Sequence, residues 1–390
     1  MFRFFFNLVS GVLLYFYDAF ERILNLKFPY RLHLFEWCDL WYVPTTIKHH
    51  CQLTFTAQWH HRLPLLQSHP PTHHATHLIT QILSNMTDSS TTPYTIIDFC
   101  SGAGGPLPAI ERTINASRLR SSLPPIQFRL SDLVPNLEAW IPLAAQSEYL
   151  SFIPQPVDAV DPPASTISVS ARNDDVVVPS ALEGRGTAEE IMLDGRVRVD
   201  PELKAQRERE RESVMRGLTA GTKVMHLFCL SFHHFGDEQA RVVVRNALGN
   251  SDAFCFLELQ ERSLGCLGMM MLEGLLLLVV SWWWFWGEWV HLLLVYGVPV
   301  LPVVHAWDGV VSCLRTRTFE EVRGLVDGVI AEEKRRMEKE LTFIGQVGGR
   351  RQGVARGEWT VSEARVRHTW PAGYLNAVIG IRKEIRKGMD

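Results

Sequence analysis

The sequence predicts an α/β fold built around a mainly parallel β-sheet. Short apolar and β-branched runs alternate with stretches of helical periodicity, which is the pattern of β-α-β units. The chain has 390 residues, of which 46% are hydrophobic. This composition is sufficient for a sizeable core and excludes a wholly disordered protein.

Seven runs are candidate strands. They are TIIDFC after Tyr94, Ile126–Asp132, Tyr149–Ala159, Lys223–Phe232, Asp252–Leu259, and the late segments GEWTVSEARVRHTW and YLNAVIGIRK. Helices are predicted near Asn136–Gln146 and over Glu238–Leu248. The last two segments are consistent with an antiparallel hairpin that completes an otherwise parallel sheet.

The composition divides the chain into four regions. Residues 1–90 are predicted to be an N-terminal helical extension, and residues 91–262 with 308–390 the α/β domain. Residues 161–216 are a densely charged insertion that we expect to be disordered, with a docking segment as the alternative. Residues 264–307 are a hydrophobic helical hairpin. Within the extension, Leu8–Leu26 has the spacing of an amphipathic helix, either on a membrane surface or in the core.

The hydrophobic hairpin is long enough to enter a membrane. From Leu264 to Trp307 the only charged side chains are Glu273 and Glu288. A membrane span requires about 20 apolar residues. The run therefore predicts two spans, roughly Met269–Trp286 and Trp289–Trp307, and the alternative is a pair of core helices.

Charge and cysteine content exclude several classes of protein. The 39 basic and 42 acidic side chains give a net charge of −3, which argues against binding along a phosphate backbone. Seven cysteines are scattered without a C-x-x-C pair. They are typical of reduced core residues in an intracellular protein, not of a disulfide framework or a zinc site.

Histidines are dense between His49 and His77, but their spacing is irregular and no acidic residue lies among them. A metal site requires fixed spacing and carboxylate support. This segment is therefore predicted to be a polar connector, and no metal site is predicted.

The strongest motif is IIDFCSGAGG, which ends at Gly105. A strand ending in Asp98 leads through a glycine-rich turn into a predicted helix. The glycines permit left-handed dihedral angles and a close approach of the backbone to a ligand. The dinucleotide fingerprint does not fit, because no glycine stands at its third glycine position, and the phosphate-loop pattern lacks its Gly-Lys-Ser/Thr.

This motif resembles motif I of class I S-adenosylmethionine-dependent methyltransferases. The matching residues are Asp98, Gly102 and Gly104, and Cys100 stands where the first glycine is usual. The resemblance covers most of residues 94–260, with 308–385 supplying the closing strands. It implies a Rossmann-like seven-stranded methyltransferase sheet with helices on both faces, and S-adenosylmethionine as the cofactor.

The resemblance also implies roles for single residues. The loop glycines Gly102, Gly104 and Gly105 would face the methionine part of the cofactor, and Asp98 and Cys100 are further predicted cofactor-binding residues. Asp132 stands where an acid binds the ribose hydroxyls, and Asp158 where an acid contacts the adenine.

The residues after the fourth strand face the substrate in this family. Here they read Ser-Phe-His-His-Phe, and His233 or His234 is predicted to contact the acceptor or to act as its base. The alternative is that one histidine packs and the other hydrogen-bonds the end of the sheet. The F-H-H-F segment and the late apolar stretch are also similar to a group of fungal, membrane-associated methyltransferase-like proteins.

DFCSGAGG is also similar to the opening of DNA cytosine-C5 methyltransferases. Those enzymes need a Pro-Cys nucleophile after the fourth strand. None follows here, and Cys229 lies inside the predicted strand. A nucleic-acid substrate is therefore excluded.

Together these patterns predict a methyltransferase acting on a small-molecule or lipid-like acceptor at the cytosolic face of an internal membrane. Two alternatives stay open: a membrane-anchored scaffold whose methyltransferase fold is inactive, and a soluble enzyme with the apolar run in its core.

Overall fold

The computed structural model describes residues 15–86, 92–162, 222–347 and 358–383. Its strands are β1 (Tyr94–Phe99), β2 (Gln127–Ser131), β3 (Leu150–Phe152), β4 (Lys223–Cys229), β5 (Ala253–Glu258), β6 (Trp359–Thr369) and β7 (Gly373–Arg382). They form one seven-stranded sheet in the order β3-β2-β1-β4-β5-β7-β6. The first five are mutually parallel, and β7 is antiparallel to both of its neighbours. The predicted Rossmann-like seven-stranded sheet, closed by an antiparallel hairpin, is confirmed.

Two strands end earlier than the sequence predicts. β3 stops at Phe152, because Pro154 and Pro156 lack the N–H groups that would continue the ladder. β4 stops at Cys229, where Leu230 takes a left-handed conformation with φ 53°. A short 3-10 helix, Phe232–His234, follows at once. This turn directs the two histidines across the end of the sheet.

Helices cover both faces of the sheet, as predicted. They are α1 (residues 15–24), α2 (Thr45–His60), α3 (Pro71–Asn85), α4 (Leu107–Arg120), α5 (Leu137–Ala145), α6 (Asp237–Asn250), α7 (Leu264–Trp284), α8 (Trp289–Leu292), α9 (Val300–Arg315) and α10 (Phe319–Val347). A 3-10 turn, Trp37–Asp39, precedes α2.

The alternation of side chains along the strands builds two cores. Ile96 faces a core that contains apolar side chains of α3, α4 and Trp140 of α5. Ile97, the next residue of β1, faces the opposite core, with side chains of α6 and α10. Every residue of β1 is buried, which is expected for a central parallel strand.

The hydrophobic hairpin is helical, but its second half is not a straight span. α7 is long and apolar enough to cross a membrane, and a third of its most apolar window is buried in the protein. The predicted second span instead consists of Trp289–Gly297 and α9, which meet at an angle of 80°. Pro299 lies at the bend, where it lacks the N–H needed to continue a helix. α7 and α9 pack closely, since a Cβ added to Gly274 would lie 2.5 Å from the carbonyl oxygen of Pro302.

The N-terminal extension is part of the fold. The histidine-rich segment was predicted to be a polar connector, and this is wrong: most of it forms α2 and α3, and α3 packs on the sheet. Two predictions fall largely on residues outside the described ranges. These are the charged insertion 161–216, of which only 161–162 are described, and the first half of the Leu8–Leu26 helix.

Candidate active site

A cavity of about 480 Å³ opens at the carboxyl ends of β1 and β4. β2 and β3 lie on one side of β1, whereas β4 and β5 lie on the other. The connections therefore diverge between β1 and β4. In open α/β sheets, ligands bind in the crevice at such a switch point. Loop residues after β1, β2 and β4 line the cavity, and the extension and α9 close its far side.

The glycine-rich turn after β1 forms one wall of this cavity. Cys100, Gly102, Gly104 and Gly105 all have positive φ, between 47° and 100°. This conformation favours glycine, and at Gly104 an added Cβ would also lie 2.9 Å from Leu143 Cδ1. Cys100, Gly102 and Gly105 line the cavity, whereas Gly104 shapes the turn from behind.

The turn is held in place by its neighbours. The Gly102 N–H donates to Oδ2 of Asp132 over 2.8 Å, and Nε1 of Trp140 donates to the Gly102 carbonyl over 2.9 Å. Ser101 bonds to the main chain of β1 and β2, which fixes the start of the turn on the sheet. These hydrogen bonds fix the conformation of the loop against the sheet and α5.

Asp98 lies at the base of the cavity and is almost fully buried. Its Oδ1 has no hydrogen-bond partner among the described residues. Burial raises the pKa of Asp98 to about 8, against the opposing effect of hydrogen bonds from Ser101 and Cys229. A buried carboxyl group without a cation prefers its neutral form. The site is consequently built to receive a cationic or hydrogen-bond-donating group.

The two other predicted acids occupy different positions. Asp132 lines the cavity at the end of β2, and its second oxygen accepts from the Val134 N–H. Burial raises its pKa. Asp158 is exposed, bonds to the Val160 N–H and does not line the cavity. Its predicted contact with an adenine stays a prediction.

His233 lies on the opposite wall and is buried. Its Nδ1 lies 2.8 Å from Oε2 of Glu258, the last residue of β5. Its main-chain N–H donates to the other oxygen of that carboxylate over 3.1 Å. Nε2 points towards Glu36, 3.7 Å from Oε1. In the neutral imidazole, the carboxylate holds the proton on Nδ1 and leaves Nε2 as an acceptor.

His234 sits in a charged cluster. Its Nδ1 lies 3.3 Å from Oδ1 of Asp39 and 3.8 Å from Oε2 of Glu36. Arg315 pairs with both carboxylates, at 3.1 Å from Glu36 and 2.8 Å from Asp39. Burial lowers the pKa of His234, but the hydrogen bond to Asp39 and the charges of the two carboxylates outweigh it and raise this pKa to about 9. His234 is therefore a cation at neutral pH.

Glu36, His233 and His234 have the arrangement of a metal-ligand set. Their donor atoms all lie within 4.8 Å of one another in the described part of the chain. However, Arg315 already neutralises Glu36, and a divalent cation there would lie next to the guanidinium. The arrangement favours acid–base chemistry over metal binding.

Four residues of the site were not predicted from the sequence: Glu258, Glu36, Asp39 and Arg315. Glu258 could have been predicted, because an acid that ends a buried strand next to β4 lies at the same edge of the sheet as the histidines. The others lie on the extension and α9, far from the motif in sequence, and only the folded chain brings them to it.

No protein-family model matches the chain, and no curated protein matches it. The solved structures that match the chain include two distantly similar proteins. One is magnesium protoporphyrin IX methyltransferase (ChlM) from Synechocystis PCC 6803 with bound SAM, with 8% identity, a TM-score of 0.31, and coverage of 80% of this chain and 81% of that one. The other is a putative Zn-dependent alcohol dehydrogenase from Rhodobacter sphaeroides, with 10% identity, a TM-score of 0.35, and coverage of 87% and 98%. Similarities this distant assign no activity to the chain.

Proposed function

We propose that the protein is an S-adenosylmethionine-dependent methyltransferase that acts on a small or lipophilic acceptor at a membrane. The observation that carries the proposal is Asp98, whose buried Oδ1 lacks a partner beneath a left-handed glycine turn at the switch point of the sheet. S-adenosylmethionine carries an ammonium and a sulfonium charge. A buried carboxylate in a cavity of this size fits one of these two cationic groups.

The chain's own residues would hold the cofactor. Cys100, Gly102 and Gly105 expose the loop backbone to the cavity, and Asp132 lies beside them. Asp98 would balance a positive charge at the base. When bound, S-adenosylmethionine supplies an electrophilic methyl group, whose carbon–sulfur bond breaks as the bond to the acceptor forms.

His233 is suited to take the acceptor's proton. Glu258 orients its ring and stabilises the imidazolium that forms when Nε2 accepts a proton. His234, already cationic, cannot act as a base at neutral pH but would stabilise negative charge on the acceptor. The two histidines thus have different proposed roles. Glu258 orients the ring of His233, whereas Asp39 and Glu36 keep His234 protonated.

The membrane part of the proposal rests on α7. Its outer face exposes large apolar side chains, among them Met271, Leu275 and Trp283. Contiguous exposed apolar surface of this kind marks an interaction with a membrane or a partner. Salt washing should leave the protein on membranes and detergent should release it, whereas release by salt alone would support the soluble alternative.

Calorimetric titration with S-adenosylhomocysteine tests the cofactor assignment. The wild type should bind, and Gly104→Val should not, because its side chain would collide with Leu143 and strain a residue at φ 100°. Gly249→Val is the matched control, since open space surrounds that helical glycine and binding should be retained. Equal binding by all three proteins would show that the loop does not take part in cofactor binding.

A further inference from the structure

A second cavity of about 460 Å³ lies beside the first. α7 forms one wall, residues 58–71 form another, and the turn at 368–373 closes the end. Its lining is largely apolar and includes Leu63, Leu66, Met269, Met270, Leu276 and Trp284. The volume is within the range of pockets that enclose small ligands.

The two cavities meet at Leu230 and Gln260, which line both of them. Leu230 is the left-handed residue that ends β4. Gln260 is 6% exposed, and its Oε1 has no hydrogen-bond partner among the residues described. An unpaired amide oxygen at such a junction is suited to accept from a donor group on a ligand.

The apolar cavity opens onto the outer face of α7. Leu272, Leu275 and Val279 line it, yet these side chains are 61%, 62% and 60% exposed. Side chains that line the cavity and are also exposed at the protein surface form the rim of an opening. A ligand passing this rim would come from apolar surroundings, and its far end would reach Gln260.

We propose that the second cavity binds the hydrocarbon chain of a lipid acceptor that carries a hydrogen-bond-donating head group, a hydroxyl or an amine. This inference rests on the proposed function and narrows its acceptor to one chemical class. The chain lies along the inner side of α7, and the head group donates to Oε1 of Gln260. From that junction the head group enters the first cavity, where His233 lies.

Photoaffinity labelling of the full-length protein in lipid nanodiscs tests this proposal. The probe is a hexadecanol analogue with a diazirine in its chain, and labelled peptides are mapped by mass spectrometry. Leu276→Trp should fill the cavity and lower labelling of residues 58–71 at least about fivefold. Leu278→Trp is the matched control, because Leu278 lies on the same helix without lining the cavity, and its labelling should equal that of the wild type.

In the wild type, competition with unlabelled compounds tests the proposal without relying on the fold of a variant. Hexadecanol should compete more strongly than hexadecane in the wild type, and Gln260→Leu should abolish this difference. Equal labelling of the wild type and Leu276→Trp, or equal competition by the alcohol and the alkane in the wild type, would overturn the proposal. Failure of the wild type to bind S-adenosylhomocysteine while labelling persists would overturn only the methyltransferase assignment.

Discussion

Glu258 holds His233 with both of its carboxylate oxygens. Oε2 lies 2.8 Å from Nδ1 of the ring, and Oε1 accepts the main-chain N–H of the same residue at 3.1 Å. Glu258 ends β5, and His233 lies in the 3-10 turn that follows β4, the parallel neighbour of β5. The end of the sheet thus presents an oriented imidazole to the cavity, and its Nε2 is the proposed base.

Removing this base should slow catalysis without removing the cofactor. His233→Ala should lower kcat about 10²- to 10⁴-fold, which is the usual contribution of a general base. Glu258→Gln should have a smaller effect, because the amide still accepts from Nδ1 but no longer stabilises the imidazolium. Transfer of a radiolabelled methyl group into a lipid extract measures both rates. An unchanged rate in His233→Ala would exclude it as the base.

Asp98 should couple cofactor binding to a proton. Its pKa is raised to about 8 by burial, so the apo protein is largely protonated there at pH 7. The ammonium group of the ligand, placed beside Asp98, favours the carboxylate, and binding should therefore release a proton and strengthen as pH rises from 6 to 8. Titration of S-adenosylhomocysteine in two buffers of different ionisation enthalpy counts the protons. Binding to Asp98→Asn should release no proton. Its affinity should be at least about tenfold weaker, which corresponds to one pKa unit of interaction with the carboxylate. Proton release on binding to this variant would contradict the account.

The same carboxyl group should make the apo protein less stable at higher pH. The folded chain keeps its proton up to about pH 8, whereas the unfolded chain loses it near the ordinary value of 3.8. The free energy of unfolding should therefore fall as pH rises between these values, and this dependence should be weaker in Asp98→Asn. Urea denaturation at several pH values measures it.

His234 should titrate well above an ordinary histidine. Burial opposes its charge, but Asp39 and Glu36 raise its pKa to about 9. The stability that it contributes is present below pH 6.5 and is lost as pH rises through about 9. Asp39→Asn should lower this pKa, and a histidine-selective NMR titration would measure the change. An unchanged pKa of His234 in Asp39→Asn would show that Asp39 does not raise it.

The seven strands were predictable because apolar β-branched runs of strand length are bounded by turn residues, as in TIIDFC at β1. The glycine turn and Asp98 were predictable because their chemistry is local. The charged cluster was not, since it joins Asp39 of the extension with Arg315 of α9. α2 was missed because its histidines obscure the apolar periodicity, although Cys51 and Trp59 are buried in the fold.

The close contact between α7 and α9 should depend on Gly274. A Cβ there would lie 2.5 Å from the Pro302 carbonyl oxygen, so Gly274→Val should separate the helices and destabilise the protein by about 1–3 kcal/mol. Gly268→Val, on the same helix with open space around it, should have a much smaller effect. Thermal denaturation in identical detergent compares the two variants. Equal melting temperatures would show that the helices do not require this contact.

The central claim is that the cavity between β1 and β4 holds S-adenosylmethionine and its demethylated product. An experimental structure of the protein with S-adenosylhomocysteine tests it most directly. We expect the ligand against the loop Cys100–Gly105, with its ammonium group at Oδ1 of Asp98. Ligand density at another place would contradict the claim, and so would a loop collapsed onto Asp98 with no room for the ligand.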